Sequence, residues 1–175
     1  YTRRKNLLLR DLDELVNQQL SKMLFANPQR IDYYDRYQEI IDAYNAEQNR
    51  ATIEKTFMDL MELASSLDTE QQRYVREGFS SDEELSVYDL LFSENLTKQE
   101  IETIKKVSVD LLTKIKQQIA KLDHWTDKQE TKAIVDNLIR NTLWQELPNS
   151  YDVSDIQTYQ KKIYEYVYMR YPEVA

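Results

Sequence analysis

The residue types that carry most enzyme chemistry are scarce in this sequence, and those present stand at spacings that fail the usual motifs. His124 is the only histidine, so neither an HExxH zinc site nor a pair of Glu-x-x-His di-metal motifs can be written. Set between Asp123 and Trp125, it reads as a loop or capping residue. Gly78 is the only glycine. That excludes the GxxxxGK[ST] phosphate loop, the GxGxxG turn and the GxSxG elbow, each of which needs more than one position free of a Cβ. Glu130-Thr131-Lys132, with Asp123 and Asp127 upstream, has the acid-x-lysine order of metal-dependent nucleases. In that chemistry the acid and the lysine converge on a metal from a strand. Here the triplet falls in a helical pattern, and a solvated helix face is the better reading. With no cysteine, neither a disulfide nor a thiolate metal site can form, which suits a reducing compartment.

What remains is the chemistry of surfaces. Thirteen tyrosines are present. In the last helical pattern Tyr159 and Tyr166 join the apolar stripe, whereas Tyr164 and Tyr168 fall on another face near Arg170. Aromatic and arginine side chains concentrate at protein interfaces, so Tyr164, Tyr168 and Arg170 are interface candidates; cover by a further helix is the alternative. Candidates for DNA phosphates are Arg3, Arg4 and Lys5, then Lys105, Lys106, Lys114 and Lys116, then Lys161 and Lys162. Each cluster also fits a solvated helix face, and such contacts would be sequence-blind and salt-sensitive. The net charge of −8 argues against an autonomous, tight DNA binder. The acid is concentrated in the middle: residues 51–103 hold 4 Lys+Arg against 13 Asp+Glu, while 1–50 and 104–175 are nearly balanced at 8 against 8 and 11 against 10.

The elements that would present these side chains are helices. At 175 residues with 41% hydrophobic and 31% charged side chains, one glycine and three prolines, the chain has the composition of a helical globular domain. Apolar residues at steps of three and four predict seven helical segments. The first covers Arg4–Phe25 and stops at Asn27-Pro28. The second starts near Ile31 and carries Tyr34, Tyr37, Ile40, Ile41 and Tyr44. The third runs from Thr52 to Glu77, fading through the polar Asp68–Arg73, and Gly78 closes it. Four capping boxes are read for the rest: Ser81 with Glu84, Thr97 with Glu100, Thr126 with Gln129, and Ser154 with Gln157. The expectation is a single all-α domain over 1–175, an irregular bundle. No run of ~18 to 20 apolar residues crosses a bilayer, and the opening on Tyr1 suggests a piece of a longer chain.

"RIDYYDRYQEIIDAYN", "IEKTFMDLMELA", the acidic lead into "EELSVYDLL", the long helix after it and "HWTDKQETKAIVDNLIRNTLWQ" together resemble the carboxy-terminal helical region of the R subunit of type I restriction-modification enzymes. The resemblance spans about Arg30 to Gln145. Its most specific parts are Glu84–Leu91 and the helix entrance at Trp125; Asp127, Glu130 and Asp136 make that entrance more acidic than the family pattern. The resemblance implies a parent protein that cleaves DNA site-specifically and translocates it with ATP. Its metal-dependent nuclease and two ATPase domains, with their ATP and Mg²⁺, would lie outside this segment, in a bacterial cytoplasm. It also implies partners: a methyltransferase core of modification and specificity subunits, and double-stranded DNA; no membrane is expected. The segment itself is then expected to hold no catalytic residue, cofactor or metal and to serve assembly, with DNA contact along one basic face. On this reading Tyr88 and Leu91 dock a short connecting helix into the core and leave Glu83, Glu84 and Asp89 outward for a basic partner. The rival readings are a DNA-guiding element of the translocase and a helical adaptor unrelated to restriction.

Overall fold

A computed structural model describes residues 2–174, with the side chain of residue 2 left aside. Among the described residues all regular structure is helical, with eight α-helices, two 3-10 turns and no strand. The all-α expectation holds. The helices are α1 (Thr2–Ala26), α2 (Ile31–Ala46), α3 (Arg50–Gln71), α4 (Arg73–Arg76), α5 (Asp82–Leu91), α6 (Lys98–Ala120), α7 (Gln129–Glu146) and α8 (Val153–Arg170). They group into two compact units, Tyr1–Gly78 and Phe79–Ala175.

In the first unit α3 packs along both α1 and α2, and Tyr37 and Tyr44 of α2 donate hydrogen bonds to Asp13 and Asn6 of α1. Ile53, Thr56, Leu60, Leu63 and Leu67 of α3 are buried at helical steps against Leu9, Val16, Leu20, Met23 and Tyr37. The chain leaves α1 at Asn27, whose buried side chain accepts a hydrogen bond from the Gln29 amide at 3.1 Å, and Pro28 opens the 3-10 turn that follows. This turn delivers Arg30 into the interior. There its Nε donates to Glu70 at 2.9 Å and its Nη1 to the Met23 carbonyl at 3.3 Å. Arg73 donates to the same carboxylate at 2.8 and 3.0 Å. Burial alone would raise the Glu70 carboxyl, but the hydrogen bonds and charges of Arg73 and Arg30 outweigh it and hold the group below its ordinary range. The polar run Asp68–Arg73 does interrupt the third helix as expected, between α3 and the single turn of α4. Gly78 then takes a left-handed φ of +85°.

The second unit closes on itself. The helices α5 to α8 pack in sequence, and α8 returns against α5. The expectation that α5 is a connecting helix is corrected. Six of its ten residues, Leu85 to Tyr88 with Leu90 and Leu91, are buried, so it is a central helix enclosed on most sides. Tyr88 and Leu91 are buried as expected. Behind α5, the Tyr151 hydroxyl donates to the Leu91 carbonyl, fastening the α7–α8 loop to the end of α5.

The caps follow the sequence in part. Thr97 and Glu100 form a complete capping box. Ser81 accepts from the Glu84 amide at 3.3 Å, but Glu84 reaches back to the Ser80 amide instead of Ser81. The other two boxes are corrected. Trp125–Asp127 winds into a 3-10 turn, so α7 starts at Gln129 without a side-chain cap, and Thr131 rather than Thr126 stabilises the entrance by donating to the Trp125 carbonyl at 2.6 Å. The α8 box is formed by Asp152 with Asp155 in place of Ser154 with Gln157. Carboxylates complement the positive end of the helix dipole better than neutral caps.

Candidate functional site

The second unit is organised around Trp125. Its indole is fully buried, and Nε1 donates to the Tyr171 carbonyl at 2.8 Å, satisfying the polar edge of a large apolar ring. His124, just before it, takes a left-handed φ of 47° and makes the reversal into the 3-10 turn, as a loop residue. Tyr164 and Tyr168 set their rings edge-on to the indole at 6.1 and 5.8 Å. These two tyrosines therefore pack on Trp125 with one face and remain partly open on the other, Tyr168 being 39% exposed.

Glu83 lies in a clasp between α5, α6 and the end of α8. Its carboxylate accepts from Lys116 at 2.5 Å and faces Arg170 at 3.7 Å, and both cations stand 5.5 Å from the centre of the Tyr171 ring. Burial works to raise the Glu83 carboxyl; the hydrogen bond and charge of Lys116, with the charge of Arg170, prevail and lower it. Of the acidic face expected from Glu83, Glu84 and Asp89, all three side chains are partly exposed. Glu83 is bound inside its own unit, Glu84 caps α5, and Asp89 is half-buried. Arg170 is likewise held by an internal partner.

The basic candidates separate in the same way. On α6, Lys114 pairs with Asp110 at 2.9 Å and with Glu146 at 3.2 Å, Lys116 is in the clasp, and half-buried Lys105 stands 5.9 Å from the Tyr88 ring; Lys106 is exposed. No continuous basic face runs along this helix, because carboxylates of neighbouring turns and helices lie between its lysines. Lys161 and Lys162 are exposed on α8, Lys162 lying 5.6 Å from the Tyr159 ring. In the first unit Arg3 and Arg4 are exposed, while Lys5 is half-buried 5.2 Å from the Phe57 ring.

Two open features lie elsewhere. In the first unit a groove of about 730 Å³ is lined by Arg3, Asn6, Arg10 and Tyr44 over Leu9 and Leu60, and Leu8, Leu15, Met58 and Met61 are exposed on α1 and α3. In the second, Arg140 and Trp144 of α7 face Gln157 and Gln160 of α8 across a groove of about 390 Å³. Trp144 is 47% exposed. The sequence reading missed this pair. Its signal is an Arg-x-x-x-Trp spacing that stands off the Val135, Ile139 and Leu143 stripe.

A family model described as "Type I restriction enzyme HindI endonuclease subunit-like, C-terminal" matches residues 1–171. The chain belongs to this family. The match extends the resemblance seen over Arg30–Gln145 to nearly the whole chain, and it sets aside the adaptor unrelated to restriction. No curated protein and no solved structure matches the chain. Membership places the chain in the C-terminal region of type I restriction enzyme endonuclease subunit-like proteins, and the matched residues take in the first unit and all but the last four residues of the second, with Trp125 and the α7–α8 groove. No helix of the described residues is long and apolar enough to cross a membrane.

Proposed function

We propose that this segment attaches the endonuclease subunit to the methyltransferase core of modification and specificity subunits, and that it acts through contact surfaces rather than chemistry. One observation carries the proposal: both units leave large apolar side chains in solvent while much of their basic charge is engaged internally. Leu15, Met58 and Met61 in the first unit and Trp144 and Met169 in the second are about half exposed or more, whereas Lys114, Lys116 and Arg170 are held by carboxylates. We read Leu15 with Met58 and Met61, on the neighbouring helices α1 and α3, as one apolar surface, and a contiguous surface of this kind favours a protein partner. A phosphate-binding surface would show the reverse. On this reading ATP, Mg²⁺ and the nuclease chemistry belong to other parts of the parent subunit.

The test is removal of residues 1–171 from the full subunit, followed by measurement of both attachment to the purified methyltransferase core and ATP turnover. Attachment should fall first, with the turnover of the free subunit kept. Unchanged attachment would end the proposal.

A second reading, direct guidance of the DNA duplex, has Arg3, Arg4, Lys106, Lys161 and Lys162 as its exposed cations. Salt separates the two. DNA binding through phosphates drops steeply between about 50 and 200 mM salt, whereas an apolar docking surface responds weakly.

A further inference from the structure

The groove between α7 and α8 combines three chemistries in one small place. Arg140 and Trp144 are one helical turn apart, and Gln157 and Gln160 stand opposite. Gln160 donates to Asp136 at 3.0 Å. Among the described residues no carboxylate pairs with Arg140. The other arginine of this unit, Arg170, faces Glu83, so the unit supplies a carboxylate where a guanidinium serves the fold. Arg140 has none. Nothing internal explains the Trp144 ring either, because the core stripe of α7 is Val135, Ile139 and Leu143, and the indole stays 47% exposed.

We infer that this groove is the place where the segment holds a protein strand or helix carrying an aspartate or glutamate beside an apolar side chain. The carboxylate would take the Arg140 guanidinium in a paired hydrogen bond, the apolar neighbour would lie on the Trp144 ring, and the Gln157 amide would bind backbone at the rim. Charge selects this occupant over nucleic acid. Residues 79–175 hold 12 Lys+Arg against 17 Asp+Glu, and Asp136 bonds Gln160 of the groove, so a polyanion is repelled far more than one carboxylate paired with Arg140. The inference rests on the docking role proposed above and assigns the segment bearing that single carboxylate to the methyltransferase core.

The experiment uses the full endonuclease subunit and the purified methyltransferase core. Arg140→Glu and Trp144→Ala should each weaken attachment about tenfold or more, while Trp144→Phe keeps most of the affinity. Lys121→Glu, an exposed charge change outside the groove, serves as the control and should have little effect. Hydroxyl-radical footprinting read by mass spectrometry should find Trp144 protected in the complex, a result that does not depend on any variant folding. If both groove variants attach within about twofold of the parent and Trp144 stays unprotected, while removal of residues 1–171 abolishes attachment, the groove assignment is wrong and the docking role stands. If removal changes nothing, both fall. Loss of DNA binding by Arg140→Glu with attachment intact would assign the groove to nucleic acid instead.

Discussion

The first unit is built on three long helices and the second on four, and the depth of their cores differs. Among the described residues nine hydrophobic side chains are buried in Tyr1–Gly78 against twenty-three in Phe79–Ala175, so the first unit has less burial per residue to set against chain entropy. Its interior also holds a buried ion pair, Arg30 with Glu70, which is costly to break on one side but adds little over an apolar pair. In the second unit the charged clasp of Glu83, Lys116 and Arg170 lies nearer the surface, outside a core already closed around Trp125. The same kind of interaction is thus sealed inside one unit and partly exposed in the other. Removing it should have unequal effects.

The sharpest way to break this contrast is to open each core in turn. Trp125→Ala removes the largest fully buried side chain of the second unit and should cost about 3–5 kcal/mol. Chemical denaturation measures the loss, and amide exchange should rise first in α7 and α8. Leu60→Ala should cost about 2–5 kcal/mol and loosen α1 to α3 while α6 stays protected. Equal loss of protection in both units would undo the two-unit description.

Next in size is Glu70→Ala, which leaves Arg30 charged and buried and should cost about 3–5 kcal/mol, whereas replacing Arg30 and Glu70 together by apolar residues should recover most of that. Lys116→Met, in the more exposed clasp, should cost only about 0–1 kcal/mol.

Acid probes both units at once. Glu70 and Glu83 have carboxyls lowered in the folded chain from the ordinary value of 4.5. The unfolded chain therefore takes up their protons first as pH falls. Their contribution to stability is complete above the ordinary glutamate range and is lost as pH drops through the lower folded values. Urea midpoints measured from neutral pH downward should fall in that window, and Glu70→Gln should flatten the fall for α3 amides but not for α6.

The smallest effects test the caps. Asp152→Ala should cost about 1 kcal/mol, while Ser154→Ala, two residues past the true cap, should stay within about 0.5 kcal/mol. Reversal of that order in thermal melts would restore the cap read from sequence.

Much of this fold is written in apolar spacing. Leu60, Leu63 and Leu67, or Ile104, Leu111 and Ile115, recur on one side of a 3.6-residue turn, and a helix in water has few other ways to hide them. Caps are less legible because Thr126, Asp127, Asp152 and Ser154 are all competent acceptors, and tertiary packing of Trp125 decides where α7 begins. Arg30 and Glu70 are illegible from local pattern. They lie 40 residues apart, and each reads as an ordinary surface charge until the turn at Asn27-Pro28 brings the arginine inward. The partners of Glu83 are illegible for a related reason: Lys116 and Arg170 reach it from two other helices. Arg140 and Trp144 could have been noticed by their offset from the stripe, but nothing in the sequence says whether such residues meet solvent or another helix.

The bond from the Trp125 indole to the Tyr171 carbonyl has a practical side. Only two tryptophans are present, one sealed in this bond and one in solvent on α7. Their emission should differ in colour, the sealed ring bluer and beyond the reach of iodide, the open ring redder and readily quenched. A single fluorescence spectrum of the chain would then carry two separable signals, one reporting the integrity of the interior and the other reporting what arrives at the groove.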